Sequence, residues 1–308
     1  MNIIDKNFNE LVNKIKNMSQ DDIYVNIQNK FHHLPQDIKD SLEQYFNLFN
    51  YWGKLNVSSN NYQELFEKSQ VLFEHIDDFI WLYNRLEDYS SKKILFGILN
   101  NWYQYDFITL KECMNNPFKH YFDLDIIPNC DNEVFVDLGA YTGDTTFDYI
   151  NTYQNYKRIY CYEITKETLS ILKDVLSNYK NIVYKNKAVS DQNNILYLSE
   201  SSVNASANQA LEIGTIEIES VSLDNDILEK IDMIKMDIEG SEYKALKGAK
   251  NHIIHDKPKL LISVYHNNDD LWQIPKLIDE YNQNYKFYLR YYGNNIYPTE
   301  IVLLCVPQ

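Results

Sequence analysis

The stretch VDLGAYTGDTT (Val136–Thr146) brings an acid, two glycines and the start of a helix close together. Asp137 falls at the tip of a predicted strand, where a carboxylate can accept from an ammonium group. Gly139 and Gly143, on either side of Ala140 and Tyr141, let the backbone turn tightly and approach a ligand without interference from a Cβ. The helix predicted to begin at Asp144, Thr145 and Thr146 offers amide N–H groups with no partner inside the helix, and these favour a carboxylate. An amino-acid moiety such as that of methionine carries both groups. A second apolar run, KRIYCYE, ends in Glu163 with Ile164 beside it. An acid there, 24 residues after Gly139, can take both hydroxyls of a ribose.

Singly, these residues would serve as strand ends or helix caps. On successive strands at βαβ spacing they point to a nucleotide-type ligand. The loop does not match GxGxxG, which counts against a dinucleotide, and Asp137 has no evident use for a pyrophosphate. S-adenosyl-L-methionine, with S-adenosyl-L-homocysteine as product, is the expected cofactor.

Further along, IDMIKMD ends in Asp237, Glu239 follows two residues later, and SVYH ends in His266. Methyl transfer is an in-line displacement whose catalysis is chiefly alignment. A hydroxyl acceptor also needs a base, and a neutral imidazole such as that of His266 suits the task. Asp237 and Glu239 could orient a lysine, act as the base or hold a divalent metal. A metal is not favoured, because oxygen ligation needs more partners than the sequence places nearby. Lys235 and Glu242 read as supporting or solvated groups, and His252 and His255 as surface residues.

Two kinds of element must position these groups. Residues 1–125 read as an all-helical domain for substrate recognition or oligomerisation. Ile4, Phe8, Leu11, Val12, Ile15 and Met18 recur at helical spacing, as do Tyr62, Leu65, Phe66, Leu72, Phe73 and Ile76. Residues 126–308 read as an α/β catalytic domain of Rossmann-like architecture. Apolar runs alternate with helical patterns such as ETLSILKDVL and SEYKALKGAKNHI, which predicts a mostly parallel sheet covered on both faces. YKFYLRYYG and EIVLLCV have no helix between them, so the last strand should be antiparallel. The serine- and asparagine-rich segment Ser199–Gly214 is either a lid over the acceptor or a loop between strands.

Composition narrows the function. The net charge of −15, with arginine only at Arg85, Arg158 and Arg290, argues against a nucleic-acid partner. No apolar run reaches the length of a membrane span, and MNIIDKNFNELVNK lacks the pattern of a secretion signal, so a cytoplasmic protein is expected. Cys113, Cys130, Cys161 and Cys305 have no metal-binding spacing and read as reduced thiols.

Over about 133–306 the sequence resembles the FkbM family of S-adenosylmethionine-dependent methyltransferases. The resemblance is carried by VFVDLGAYTGDTT, CYEITKETLSILK, KNKAVSD, VSLDN and KPKLLISVYH. Most specific is a Lys-x-Asp-x-Glu-Gly-x-Glu segment, here Lys235, Asp237, Glu239, Gly240 and Glu242, followed by Leu246, Gly248 and Ala249. The resemblance implies that Asp137, Gly139, Tyr141 and Gly143 line the methionine end and that Glu163 meets the ribose. Ala188 and Val189 would lie beside adenine, and Asp237 near the transferred methyl. It further implies O-methylation of a small-molecule or saccharide acceptor, as in polysaccharide biosynthesis. N-methylation and a homodimer stay open. Two other readings compete: an NAD-linked sugar oxidoreductase or epimerase, and a non-catalytic binding module of a glycan-assembly pathway.

Overall fold

The amphipathic stripes of the first hundred residues fold as helices: α1 (Ile3–Lys16), α2 (Gln20–His32), α3 (Gln36–Phe49), α4 (Gln63–Glu74), α5 (Ile76–Arg85), α6 (Tyr89–Gln104) and α7 (Phe107–Cys113). The computed structural model describes residues 2–49, 52–114, 117–199, 209–212 and 216–308. Asn2 and Ser19 cap α1 and α2 by reciprocal hydrogen bonds with Asp5 and Asp22, which satisfies amides the helices leave open. Ile4, Phe8, Leu11, Val12 and Ile15 are buried, as their spacing predicts. On α4 the expected stripe fails in part. Phe66 and Phe73 are exposed, whereas Glu64 and Lys68 are buried and paired with each other. The Lys68 ammonium lies 5.1–5.6 Å from the ring centroids of Phe46, Tyr105 and Trp52, so cation–π attraction offsets part of its desolvation. Two short strands, β1 (Leu55–Asn56) and β2 (Asn61–Tyr62), form a hairpin within this otherwise helical stretch.

From Glu133 onward the grammar changes. β3 (Glu133–Leu138), α8 (Asp144–Tyr153), β4 (Tyr156–Tyr162), α9 (Lys166–Val175) and β5 (Ile182–Lys185) alternate strand and helix. Next come β6 (Ala188–Val189), β7 (Asn194–Ser199), β8 (Gln209–Leu211), β9 (Ile216–Val221) and α10 (Leu223–Asp226). The chain ends with β10 (Met233–Met236), α11 (Glu242–Gly248), α12 (Lys250–His255), β11 (Lys259–Ser263), α13 (Asp270–Tyr281), β12 (Tyr285–Tyr291) and β13 (Ile301–Pro307).

The main sheet is mixed, in the order β12-β13-β11-β10-β3-β4-β5, and β11 through β5 pair in parallel. The connection 292–300 between β12 and β13 is too short for the crossover of about a dozen residues that parallel pairing needs, so this hairpin is antiparallel. Val134, Phe135, Val136 and Leu138 are all buried, as a strand covered on both faces requires. Strand order reverses between β3 and β10, which is where open α/β sheets bind ligands. A second sheet, β6-β9-β7-β8, follows β5. Of the proposed lid segment only residue 199, the end of β7, and 209–212 lie among the described residues, and the latter supply β8, antiparallel to β7.

The chain divides into two compact units, residues 1–116, 264–275 and 286–303 in one and 117–263, 276–285 and 304–308 in the other. Within the first unit, Arg290 donates to Asp88 at 2.8 Å and the Trp52 indole donates to the Tyr265 carbonyl at 2.8 Å. These bonds fix its late segments to its helices. The second unit holds the parallel strands β3, β4, β5, β10 and β11 and the small sheet.

Candidate active site

Within the second unit, a cavity of about 290 Å³ opens at the carboxyl ends of β3, β4 and β10. Leu138, Gly139 and Tyr141 reach it from the end of β3, and Asp144 and Thr145 from the start of α8. β4 ends against it with Tyr162, Glu163 and Ile164, and β10 with Lys235, Asp237, Ile238, Glu239 and Ser241. Lys187, Ala188, Val189 and Ala210 close the side toward the small sheet. Ala188 belongs to that sheet's core with Leu196 and Ile218, against which Ile164 and Ala210 pack, so this wall is apolar and backed by packed side chains.

Glycine is required at Gly139 for two reasons. Its φ is +74°, and a Cβ there would lie 1.9 Å from the Asp237 carbonyl oxygen. The turn after β3 and the end of β10 therefore touch through backbone. Gly143 (φ +94°) caps α8, with the Leu172 side chain filling the place of its Cβ. Tyr141 and Glu239 adopt left-handed φ values of 44° and 56° without being glycine, a strain that gathers at functional loops. Gly248 answers a different need, since a Cβ there would meet the Ser190 carbonyl oxygen at 2.0 Å.

The Glu163 carboxylate accepts from the Tyr141 amide at 3.1 Å and the Thr165 amide at 2.8 Å, one bond to each oxygen. Burial raises its pKa above the usual glutamate value, and the two amides only partly offset this. The Thr165 side chain also bonds this carboxylate, so Glu163 is held by three donors at the cavity wall. Asp237 accepts from the Tyr121 hydroxyl at 2.8 Å. The Gln209 side-chain amide donates to the Glu239 carbonyl at 2.9 Å and ties β8 to the loop after β10.

Most of the residues singled out in the sequence meet here: Gly139, Tyr141, Asp144, Thr145, Glu163, Ile164, Ala188, Val189, Asp237 and Glu239 all line the cavity. Asp137, Ala140, Gly143 and Thr146 do not. Asp137 is fully buried, pairs with Lys235 at 3.1 Å and accepts from Thr146 Oγ1 at 2.6 Å. It supports the turn from below and does not present itself to an ammonium group, contrary to the expectation; Thr146 is likewise a partner of Asp137. His266 is buried and follows β11 in the other compact unit.

The solvated alternative for Lys235 and Glu242 is overturned, and so is the surface reading of His252. Lys235 is buried, donates to the Gly139 carbonyl at 2.8 Å and lines the cavity. Glu242 is buried and accepts from the Ile238 amide at 2.8 Å. His252 is not a surface residue but is held between Asp256 (2.6 Å) and the Ile227 carbonyl (3.0 Å). Sequence reasoning missed Tyr121, whose local pattern carries no signal of a site, and did not single out Lys187 or Ala210 within the KNKAVSD and Ser199–Gly214 segments. Lys187 bonds Asp226 at 3.1 Å and Glu219 at 2.9 Å.

Among the described residues no helix is long and apolar enough to cross a membrane. The model of the methyltransferase FkbM domain matches residues 137–295. Among solved structures, the FkbM methyltransferase of Methylobacillus flagellatus KT is 25% identical, with a TM-score of 0.68. The match covers 85% of this chain and 65% of that one, so the chain spans just under two thirds of that relative's length. Weaker likenesses include a precorrin-6y C5,15-methyltransferase from Geobacter metallireducens GS-15, 13% identical over 60% of this chain and 85% of that one, with a TM-score of 0.38. Fibrillarin from Aeropyrum pernix, bound to S-adenosyl-L-methionine, is 11% identical over 65% of this chain and 74% of that one, also with a TM-score of 0.38. No curated protein matches the sequence. With over half its length matched by the family model, on the segment that builds the cavity, the chain belongs to the FkbM methyltransferase family.

Proposed function

We propose that this chain is an S-adenosylmethionine-dependent methyltransferase that methylates a hydroxyl on a sugar, glycan or glycan precursor. The observation that carries the cofactor reading is the cavity at the switch point, where a helix N-terminus and the Glu163 carboxylate face the same space. The residues fit the cofactor's parts. The open amides at the start of α8, at Asp144 and Thr145, suit its carboxylate. Asp144 lines the cavity at the start of α8 and is assigned to the ammonium group, in place of the buried Asp137. The Glu163 carboxylate lines the cavity where the ribose hydroxyls would lie. Ile164, Ala188, Val189 and Ala210 form an apolar wall suited to a purine face.

When bound, the cofactor supplies an electrophilic methyl group on a sulfonium. The chain's residues then have two tasks, alignment of the acceptor and removal of its proton. Asp237 and Glu239, at the open end of β10, are assigned to the transfer end. His266, at the end of the strand-like run SVYH, is proposed as the base for the acceptor hydroxyl on its residue type and position in the sequence. The preference for oxygen and for saccharides rests on the family resemblance.

Calorimetric titration with S-adenosylhomocysteine, with NAD as control, tests the cofactor assignment. Micromolar binding of the former alone is expected; binding of NAD alone, or of neither, overturns it. Incubation with S-adenosylmethionine and a panel of saccharides, read by mass spectrometry, then tests the acceptor class, and transfer only to amines would refute it.

A further inference from the structure

Tyr121 lies outside the stretch matched by the family model, yet its side chain reaches the end of β10. Lys119 to Phe122 form a tight turn closed by the Phe122 amide on the Lys119 carbonyl at 3.0 Å. Tyr121 occupies a turn position with φ +70°, a left-handed conformation in which a glycine would be at ease. Such a conformation is unfavourable for a bulky residue and persists only where the surroundings impose it. Here the surroundings are specific. The ring stacks on His120, with centroids 4.1 Å apart and planes at 5°. The Lys235 ammonium lies 5.5 Å from its centroid, and the ring is almost wholly buried. Its hydroxyl donates to Asp237 Oδ2 at 2.8 Å and lies 3.0 Å from Ser263 Oγ, at the end of β11.

The strained turn thus delivers one O–H group to the one carboxylate that both ends β10 and lines the cavity. We propose that Tyr121 is a positioning residue that holds the Asp237 carboxylate toward the transfer end of the cofactor site, with Ser263 fixing the phenol from the neighbouring strand. This rests on the methyltransferase reading above. A carboxylate held there discriminates between the cationic sulfonium of S-adenosylmethionine and the neutral thioether of S-adenosylhomocysteine. A tyrosine that only filled space would make no such distinction.

The test compares calorimetric affinities for these two ligands in the native protein, Tyr121→Phe and Asp237→Asn. Tyr121→Phe keeps the ring and removes one charge-assisted hydrogen bond. Its preference for S-adenosylmethionine over S-adenosylhomocysteine should fall by roughly three- to tenfold, with S-adenosylhomocysteine bound within about twofold of native. Asp237→Asn should lower the same ratio at least as far. If Tyr121→Phe fails to fold, as judged by circular dichroism, Ser263→Ala removes the phenol's second partner and is read in the same way. An unchanged ratio in the folded variant overturns the proposal, as does loss of both affinities in equal measure. If the native protein binds neither ligand, the methyltransferase reading falls first and this proposal with it.

Discussion

Lys235 and Asp137 are register partners on β10 and β3, and they form a buried ion pair with 3.1 Å between Nζ and Oδ1. Thr146 of α8 donates to the other Asp137 oxygen, and Lys235 reaches on to the Gly139 carbonyl. Two strands, the turn between them and the ligand, and the helix that follows are thus joined by one charged cluster. Burial acts to lower the Lys235 pKa, but Asp137 and Asp237 together outweigh it and hold the value above that of an ordinary lysine.

Removing either partner leaves a buried charge uncompensated. Asp137→Asn or Lys235→Met alone should cost about 3–5 kcal/mol in urea unfolding, while the double replacement Asp137→Leu with Lys235→Met should recover much of the loss. The pH dependence has a definite sign. A lysine whose folded pKa is raised contributes stability that is present below its unfolded value of 10.5 and is lost as pH climbs through the folded value. Native protein should therefore lose stability on the alkaline side more steeply than the double variant.

Gly139→Ala places a methyl group 1.9 Å from the Asp237 carbonyl at a positive φ, and neither backbone can yield without moving the site. A loss of at least about 2 kcal/mol in stability is expected, together with loss of S-adenosylhomocysteine binding. Gly248→Ala strikes the Ser190 carbonyl at 2.0 Å, just after β6. It should destabilise the fold comparably while leaving the α8 end of the site intact. Chemical unfolding and calorimetry on the two variants separate these outcomes.

The raised pKa of Glu163 predicts an acid limb in cofactor affinity. Burial favours the neutral carboxyl, so the ionised form that accepts from ribose hydroxyls is lost as pH falls through a midpoint above the ordinary value of 4.5. S-adenosylhomocysteine affinity should fall along that limb. Glu163→Gln should bind at least about tenfold more weakly and lack the limb. A Glu163→Gln titration that overlays the native curve would remove Glu163 from the ribose site.

His120 should stay neutral through the physiological range. Burial, with Lys235 adding to it and Asp237 opposing, pulls its pKa down to about 4. In NMR titration of the imidazole carbons, its shifts should remain flat from about pH 5 to 8, whereas an ordinary histidine titrates near 6.5. A midpoint above about 6 would contradict the packing seen against Tyr121.

Much of the site is legible from local patterns because strand ends, turn glycines and helix starts follow from side-chain spacing and backbone sterics over a few residues. Gly139, Asp144, Thr145, Glu163 and Ile164 were found that way, and they line the cavity. Short apolar runs similarly mark β3, β4, β10 and β11. Spacing does not say which polar residue a strand will bury, or against what. The α4 stripe shows this, since Phe66 and Phe73 face solvent while Glu64 and Lys68 turn inward to each other and to three aromatic rings.

The sequence by itself determined the α/β class, the alternation of strand and helix, and the segments that converge on one sheet edge. Those depend on periodicity and on the conformational limits of single residues. Only the tertiary structure decided that Asp137 serves Lys235, that Tyr121 serves Asp237, and that Ala210 joins the cavity wall. Each of these pairings joins residues far apart in the chain, through strand register and packing. The energetic worth of a buried charge depends on the partner that register brings to it, and local spacing carries no record of that partner.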